Sequence, residues 1–194
     1  MSARDTILAA VRSNRPSGDH PLPDLPDFDL DDGGDRTAFF VKNLKSMGGK
    51  TYDGPLGDAI KTLFPDAKTV VSRAPEIAGT RDLKDDEPPR DLHDIDVAVV
   101  RAQFGIAETG TVALTDTMLG VNSLAYLAQH LIVLVDPKDI VLTVQDAYRR
   151  DDYTAHRYLA FHTGPSATAD IEGVLIHGAQ GVRSLTVILH PRTS

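Results

Sequence analysis

The stretch from residue 105 to residue 116, GIAETGTVALTD, places a carboxylate, threonines and two glycines where a plain buried strand would carry valines and leucines. A carboxylate at the end of a buried strand can act as an acid, a base or a nucleophile. Glu108 is therefore the candidate catalytic residue. Thr109, Gly110 and Thr111 are the candidate ligand-binding residues beside it.

A purely structural role for Glu108 remains open at this point. In that alternative its carboxylate accepts hydrogen bonds from neighbouring backbone amides, or pairs with Arg101 or Arg183, and only stabilises the turn. A nucleotide phosphate loop is excluded, although Gly105 and Gly110 have its spacing. The lysine and hydroxyl residue that such a loop requires are replaced by threonine and valine, and the chain also lacks the G-x-G-x-x-G fingerprint of dinucleotide-binding folds.

A second stretch, HTGPSATADIEG, begins at His162, which the pattern places at the end of a strand. Glycine and proline then form a tight turn, a serine or threonine caps a predicted helix, and two acidic residues fall in its first turn. Amides at such a helix start can hold a carboxylate or phosphate, although ordinary capping explains the same residues. The candidate ligand-binding residues of this stretch are His162, Gly164, Pro165, Ser166, Thr168, Asp170 and Glu172.

The two stretches are expected to meet, because ligands of open α/β sheets usually bind where loops follow the carboxyl ends of strands. We therefore predict that both reversals lie at one rim of the sheet and that Glu108 and Asp170 share a pocket. No metal site is predicted, since the histidines show no H-x-x-x-H spacing.

The composition limits the classes of function. The chain has 194 residues and no cysteine, which excludes disulfides, thiolate catalysis and an iron–sulfur cluster held by its own thiolates. A formal charge of -8 disfavours binding to nucleic acid or to anionic lipid. The apolar run near the N-terminus is too short for membrane insertion. We expect a cytoplasmic protein that binds small molecules or protein partners.

Strand-like and helix-like segments alternate along most of the chain, which predicts an α/β fold with an open mixed or parallel sheet flanked by helices. Residues 1–35 are interpreted as an N-terminal helix and an acidic, proline-rich arm, and residues 36–194 as the α/β domain. Residues 137–150 are predicted to be helical. Residues 158–189 are predicted to form a strand, a helix and a strand in one βαβ unit.

Three segments together resemble the LutC/YkgG family of lactate-utilisation proteins, also called LUD-domain proteins, over nearly the whole chain: RDTILAAVR, FGIAETGTVALTD and TGPSATADIEGVLIHGAQGVRSLTVIL. The resemblance implies a NagB/RpiA/CoA-transferase-like fold. It also implies a role in oxidising L-lactate to pyruvate with two partner proteins, of which one or both bind iron–sulfur clusters. The chain departs from the family pattern at Ala167, where a basic residue is often found.

Three functional hypotheses follow. The first is a non-redox component of a lactate-utilisation system that binds a small carboxylate or a similar ligand, with iron–sulfur clusters on its partners. The second is a stand-alone acyl-transferase, CoA-transferase or isomerase that uses Glu108 as nucleophile or base, by analogy of fold. The third is an interaction module whose N-terminal helix and arm recruit partners.

Overall fold

The computed structural model describes residues 2–19, 21, 23, 26, 30–168, 176–177 and 181–192, and each structural statement below concerns these residues. Their α-helices are α1 (Ala3–Ser13), α2 (Arg36–Ser46), α3 (Ala59–Leu63), α4 (Asp116–Leu119), α5 (Leu124–Leu127), α6 (Val144–Tyr148) and α7 (Asp152–Ala155). Their strands are β1 (Lys50–Thr51), β2 (Val70–Ser72), β3 (Val97–Arg101), β4 (Phe104–Ile106), β5 (Thr111–Thr115), β6 (His130–Val135), β7 (Ile140–Val141), β8 (Leu159–His162), β9 (Ala167–Thr168), β10 (Ile176–His177) and β11 (Ser184–Leu189).

The larger sheet has five parallel strands in the order β1-β11-β6-β3-β2. Its central strands are apolar along their length because hydrophobic residues cover both faces, as is usual for parallel sheets. Val99 of β3 and Ile132 of β6 face one hydrophobic cluster, whereas Val100 and Val133 face the other. The predicted α/β class with a parallel sheet flanked by helices is confirmed.

The smaller sheet has four strands in the order β7-β4-β5-β8. Strand β5 runs antiparallel to both β4 and β8, whereas β7 is parallel to β4. One face of this sheet contributes Val112 and Leu114 to the cluster that it shares with the larger sheet. The other face, with Phe104, Ile106 and Ala113, builds a separate small cluster.

The N-terminal helix predicted from the sequence is present as α1, which begins at a capping box formed by Ser2 and Asp5. Within the described part of the chain α1 buries no side chain, and Ile7 and Val11 are exposed. Helix α2, in contrast, is fixed to the core by fully buried Phe40 and Leu44. None of the described helices is long and apolar enough to span a bilayer.

The predicted helix over residues 137–150 is wrong in its first half. Pro137–Asp139 form a 3₁₀ turn, and Ile140 and Val141 then form strand β7 beside Gly105 and Ile106. The β-branched pair completes an edge of the smaller sheet, so tertiary pairing outweighs local helical periodicity. Helix α6 begins only after Thr143, which makes a capping box with Asp146.

The predicted βαβ unit over residues 158–189 is also wrong. Strand β8 belongs to the smaller sheet and β11 to the larger one, so the two strands never share a sheet. A helix does not begin at Ser166, because Ala167–Thr168 form strand β9, which pairs antiparallel with β10. Asp170 and Glu172, expected in the first turn of that helix, lie outside the described residues.

Candidate functional site

The two stretches singled out in the sequence meet at one edge of the smaller sheet. Strands β4, β7 and β8 run in one direction, so their carboxyl ends lie at this edge beside the amino end of β5. We call it the small-sheet edge and define it by Ala107–Thr111, Leu142–Val144 and Thr163–Ser166. The predicted meeting of the two reversals at one rim is therefore confirmed, although the rim belongs to a second sheet that the sequence did not reveal.

Glu108 is exposed at this edge, in the turn between β4 and β5. Its Oε2 atom accepts a hydrogen bond of 2.9 Å from the backbone amide of Val144, at the first turn of α6, and its own amide donates to the carbonyl of Leu142. The carboxylate thus satisfies one of the amides that a helix start leaves unpaired. Glu108 pairs with neither arginine considered above, because Arg101 binds Glu76 and Arg183 precedes β11 of the other sheet.

Threonine hydroxyls link the two stretches directly. The hydroxyl of Thr109 lies 2.7 Å from that of Thr111, which in turn hydrogen-bonds the hydroxyl of Thr163 just after β8. Thr111 is almost fully buried, with 2% of its surface exposed. This chain of hydroxyls satisfies the buried group and holds the end of β8 against the start of β5.

Glycines place both turns against the C-terminal end of α2. Gly110 has φ +63°, and a Cβ atom there would lie 2.1 Å from the backbone nitrogen of Leu44. Gly164 has φ +68°, and its Cβ atom would lie 2.1 Å from the carbonyl oxygen of Met47. A side chain therefore fits neither position, and each backbone conformation also favours glycine. The side chain of Asn43 adds a hydrogen bond of 2.8 Å to the carbonyl of Ala107.

The supporting role of α2 was missed from the sequence. The signal available there is the Gly48–Gly49 pair after the helix, which by itself predicts only a helix stop. Gly48 also has a positive φ, +82°, and a Cβ atom on it would touch the Pro165 ring at 3.4 Å. The backbone amide of Ser166 donates a hydrogen bond of 2.9 Å to the carbonyl of Val182.

His162 lies on the other face of the smaller sheet from the threonine chain. It pairs with Val112, and neighbouring residues of a strand point to opposite faces, so Thr111 and Thr163 face away from it. Its ring lies 4.9 Å from that of Tyr126. Burial lowers the pKa of His162 to about 4, and its Nε2 atom has no hydrogen-bond partner among the described residues. The structure therefore does not bring His162 together with the hydroxyls.

The remaining sequence candidates add little to the geometry. Thr168 ends the described part of this stretch and contributes its backbone to β9. The pocket predicted for Glu108 and Asp170 stays a prediction, since Asp170 is outside the described residues. Within the described ranges no group of three or more histidine, aspartate or glutamate side chains is arranged to hold a metal ion.

Comparison with known proteins gives the family of this fold. The sequence profile described as the LUD domain matches residues 59–190, about two thirds of the chain. The chain belongs to the LUD-domain family. A protein from Deinococcus radiodurans named Lactate utilization protein C is 28% identical over 202 residues, which cover 95% of this chain and 92% of that protein. The resemblance inferred from the motifs is confirmed.

A solved structure supports the same fold for this LUD domain. The crystal structure of a DUF162 family protein from Deinococcus radiodurans matches with a TM-score of 0.62 at 21% identity, covering 83% of this chain and 99% of that one. The profile match begins at residue 59 and so leaves out α2, which supports both glycine turns. The division of the chain at residue 36 stays a prediction.

The carboxyl edge of the larger sheet is closed in this LUD domain by the chain's own charged side chains. Arg101, at the end of β3, is 8% exposed and forms an ion pair with Glu76. Its Nη1 atom donates to the carbonyl of His190 at 3.1 Å. Burial opposes ionisation of Glu76, but the hydrogen bond and charge of Arg101 outweigh it and hold its pKa below the ordinary value.

The C-terminal segment completes this closure. Asp136, at the end of β6, accepts hydrogen bonds from the amides of Arg192 and Lys138 at 2.7 and 3.0 Å, which lower its pKa. The guanidinium of Arg192 donates to Asp139 at 3.1 Å and to the carbonyl of Ala102 at 3.0 Å. The usual ligand edge of a parallel sheet is thus occupied by the protein itself.

Proposed function

We propose that this protein is a non-redox component of an L-lactate utilisation system that converts lactate to pyruvate. The observation that carries the proposal is the similarity, over 95% of the chain, to a protein named Lactate utilization protein C. Membership of the LUD-domain family supports it.

Electron transfer is assigned to partner proteins in this proposal. The chain has no cysteine, so no thiolate of its own can ligate an iron–sulfur cluster. Iron–sulfur proteins of the same system would carry the clusters. The exposed apolar residues Ile7 and Val11 of α1 offer such partners a contact surface outside the α/β domain.

The small-sheet edge is the proposed ligand site, for a small carboxylate or similar molecule. Its loops carry the partly exposed hydroxyls of Thr109 and Thr163 and a single charged side chain, that of Glu108. A ligand carboxylate there would accept from hydroxyls and amides rather than pair with a cation. A 2-hydroxy acid suits this arrangement, because its own hydroxyl can donate to the Glu108 carboxylate.

A stand-alone transferase that uses Glu108 is the second proposal. The observation in its favour is that Glu108 is exposed, while one of its carboxylate oxygens accepts a hydrogen bond from the Val144 amide. Attack by that carboxylate on an acyl-CoA would form a glutamyl anhydride and release CoA thiolate. The thiolate would then attack the glutamyl carbonyl, release the acyl group as a free carboxylate and leave a Glu108–CoA thioester. The purified protein, treated with acetyl-CoA and then hydroxylamine, would yield a Glu108 hydroxamate by mass spectrometry. An unmodified Glu108 peptide would rule this second proposal out.

Deletion and reconstitution test the leading proposal. Deleting the gene in its native host is expected to stop growth on L-lactate but not on pyruvate, because only the oxidation step is lost. The purified chain alone is expected to show no lactate oxidation with a dye acceptor. Copurification with iron–sulfur proteins from the host tests the partner assignment. Lactate oxidation by the isolated chain would overturn the non-redox role.

A further inference from the structure

A cavity of about 670 Å³ opens at the amino end of the larger sheet, opposite to the edge that Arg101 closes. Its walls come from the end of α3, the loop before β3 and the residues that start β6 and β11. The side chains that matter to its chemistry are Phe64, Asp66, Asp94, Asp96, His130 and Arg183. It lies on a different sheet from the small-sheet edge, and the proposed lactate-related function makes no use of it.

Two of the three carboxylates in the wall are already engaged. Asp94 forms an ion pair with Arg81 at 2.6 Å. Asp96 accepts hydrogen bonds from the backbone amides of Thr69 and Lys68 at 2.9 and 2.7 Å, and these bonds lower its pKa. Arg81, which also pairs with Glu87, offsets the charge of Asp94 in part, and the two amides stabilise the charge of Asp96. A ligand anion therefore meets less repulsion than the composition of the wall suggests.

Among the described residues of the wall, Arg183 is the cation that no carboxylate pairs with. Its backbone is fixed by a hydrogen bond of 2.8 Å from its amide to the carbonyl of Gln129, whereas its side chain has no ion pair among the described residues and is exposed. A guanidinium offers a planar fork of donors that fits a carboxylate or a phosphate in a bidentate manner. The group is thus held at the cavity mouth and available for an anion.

A planar aromatic surface lies beside this cation. The rings of Phe64 and His130 are stacked, with centroids 4.3 Å apart and an interplanar angle of 23°. The Nδ1 atom of His130 hydrogen-bonds the hydroxyl of Ser184 at 2.8 Å, which fixes the ring. Burial and the charge of Arg183 lower the pKa of His130.

We propose that this cavity binds a small organic anion whose carboxylate or phosphate pairs with Arg183 and whose planar body packs beside the Phe64 and His130 rings. Both the cation and the stacked rings are needed for selective binding. The cation alone would bind any anion weakly at the surface, and the stacked rings alone would not select charge.

Titration of His130 followed by NMR tests the site with three probes: benzoate, phenyl phosphate and neutral benzamide. Bound benzoate or phenyl phosphate is expected to raise the pKa of His130, because an anion beside Arg183 removes the repulsion that disfavours the imidazolium. Asp96 and Lys50 also act on this imidazole. Benzamide is expected to leave the pKa of His130 unchanged. The anionic probe that binds with the higher affinity identifies whether the site prefers a carboxylate or a phosphate.

Two variants and a matched control decide the role of charge. Arg183→Gln is expected to weaken binding of the anionic probes at least about tenfold, whereas Asp66→Asn at the rim is expected to strengthen it about twofold. Arg12→Gln, on exposed α1, changes the net charge equally and is expected to leave binding unaltered. Equal affinities for benzoate and benzamide, or unchanged binding in Arg183→Gln, would overturn the proposal. The proposal would also be overturned if none of the probes produced a saturable shift at concentrations up to about 20 mM.

Discussion

The carboxyl edge of the larger sheet and the small-sheet edge hold their loops by different means. At the first, the buried ion pair of Arg101 with Glu76 and the bonds of Arg192 join the strand ends. At the second, Gly110 and Gly164 let two turns approach the C-terminal end of α2, and no ion pair joins the described residues of this edge. The first edge is consequently filled by charged side chains, whereas the second leaves the Glu108 carboxylate facing solvent.

This difference indicates where ligand chemistry is accessible. In open α/β sheets the carboxyl ends of the parallel strands usually bind the ligand. Here that position is closed by the protein's own ion pairs, and the ligand site that we propose is at the carboxyl ends of β4, β7 and β8 in the smaller sheet. The comparison yields predictions that separate a structural edge from a functional one.

The largest expected effect is on the closed edge. Arg101→Met should lower the free energy of unfolding by about 3–5 kcal/mol, because it leaves Glu76 buried without its partner. Guanidinium chloride denaturation measures the change. Arg90→Met is the matched control, since Arg90 is 84% exposed at its side chain and should change stability by less than about 0.5 kcal/mol. Equal losses in the two variants would refute the structural role of the Arg101 pair.

A smaller loss is expected at the small-sheet edge. Gly110→Ala should cost about 2–4 kcal/mol, because it combines an unfavourable φ with a clash against the Leu44 backbone. Thermal unfolding followed by circular dichroism reports the loss. Gly57→Ala is the control, since a Cβ atom there meets nothing within 4 Å. A Gly110→Ala protein as stable as wild type would show that the turn does not depend on this close approach.

Lowering the pH should destabilise the two sheets in different pH ranges. His162 has a folded pKa of about 4 against 6.5 unfolded, so its contribution is complete above pH 6.5 and is lost as the pH falls toward 4. Between pH 7 and 5 the expected loss is about 2 kcal/mol. Glu76, whose pKa is also lowered, loses its contribution only as the pH falls below 4.5.

Denaturation curves recorded at several pH values show in which pH range each of these two groups stops contributing to stability. His162→Gln should flatten the slope between pH 7 and 5 and leave the loss at lower pH in place. His93→Gln serves as the control, because His93 is exposed. An unchanged slope in His162→Gln would mean that another group titrates in that window.

A further, smaller loss of stability is expected at the hydroxyl chain. Thr111→Val should cost about 1–2 kcal/mol, because it removes the buried hydroxyl between Thr109 and Thr163 while keeping the side-chain shape. Thr154→Val, at an exposed position, is the control for the substitution itself. A neutral Thr111→Val would remove the hydroxyl link from the account of how the two turns are joined.

Local pattern was sufficient for much of this fold. The amphipathic N-terminal segment and the glycine stop after α2 both predict elements that the structure contains. These features depend on residues close together in the chain. The meeting of the two turns was expected instead from the general rule that loops after the carboxyl ends of strands lie at one rim of a sheet.

Long-range pairing was beyond local pattern. Nothing in the sequence around β8 shows that this strand pairs with β5, with His162 opposite Val112, and does not share a sheet with β11. The partner of Arg101 could not be chosen among the acidic residues either, since Glu76 is 25 positions away. The approach of Gly110 to α2 likewise depends on a contact across more than 60 residues, which periodicity does not encode.

Growth on L-lactate with a Glu108 variant tests the central claim most directly. Glu108 is exposed, so Glu108→Gln should change stability by less than about 1 kcal/mol, and unfolding curves would verify a folded protein. We expect a deletion strain that expresses Glu108→Gln to fail to grow on lactate, and one that expresses Asp53→Asn, which removes another exposed carboxylate, to grow like wild type. Wild-type growth with folded Glu108→Gln would contradict the assignment of function to the small-sheet edge.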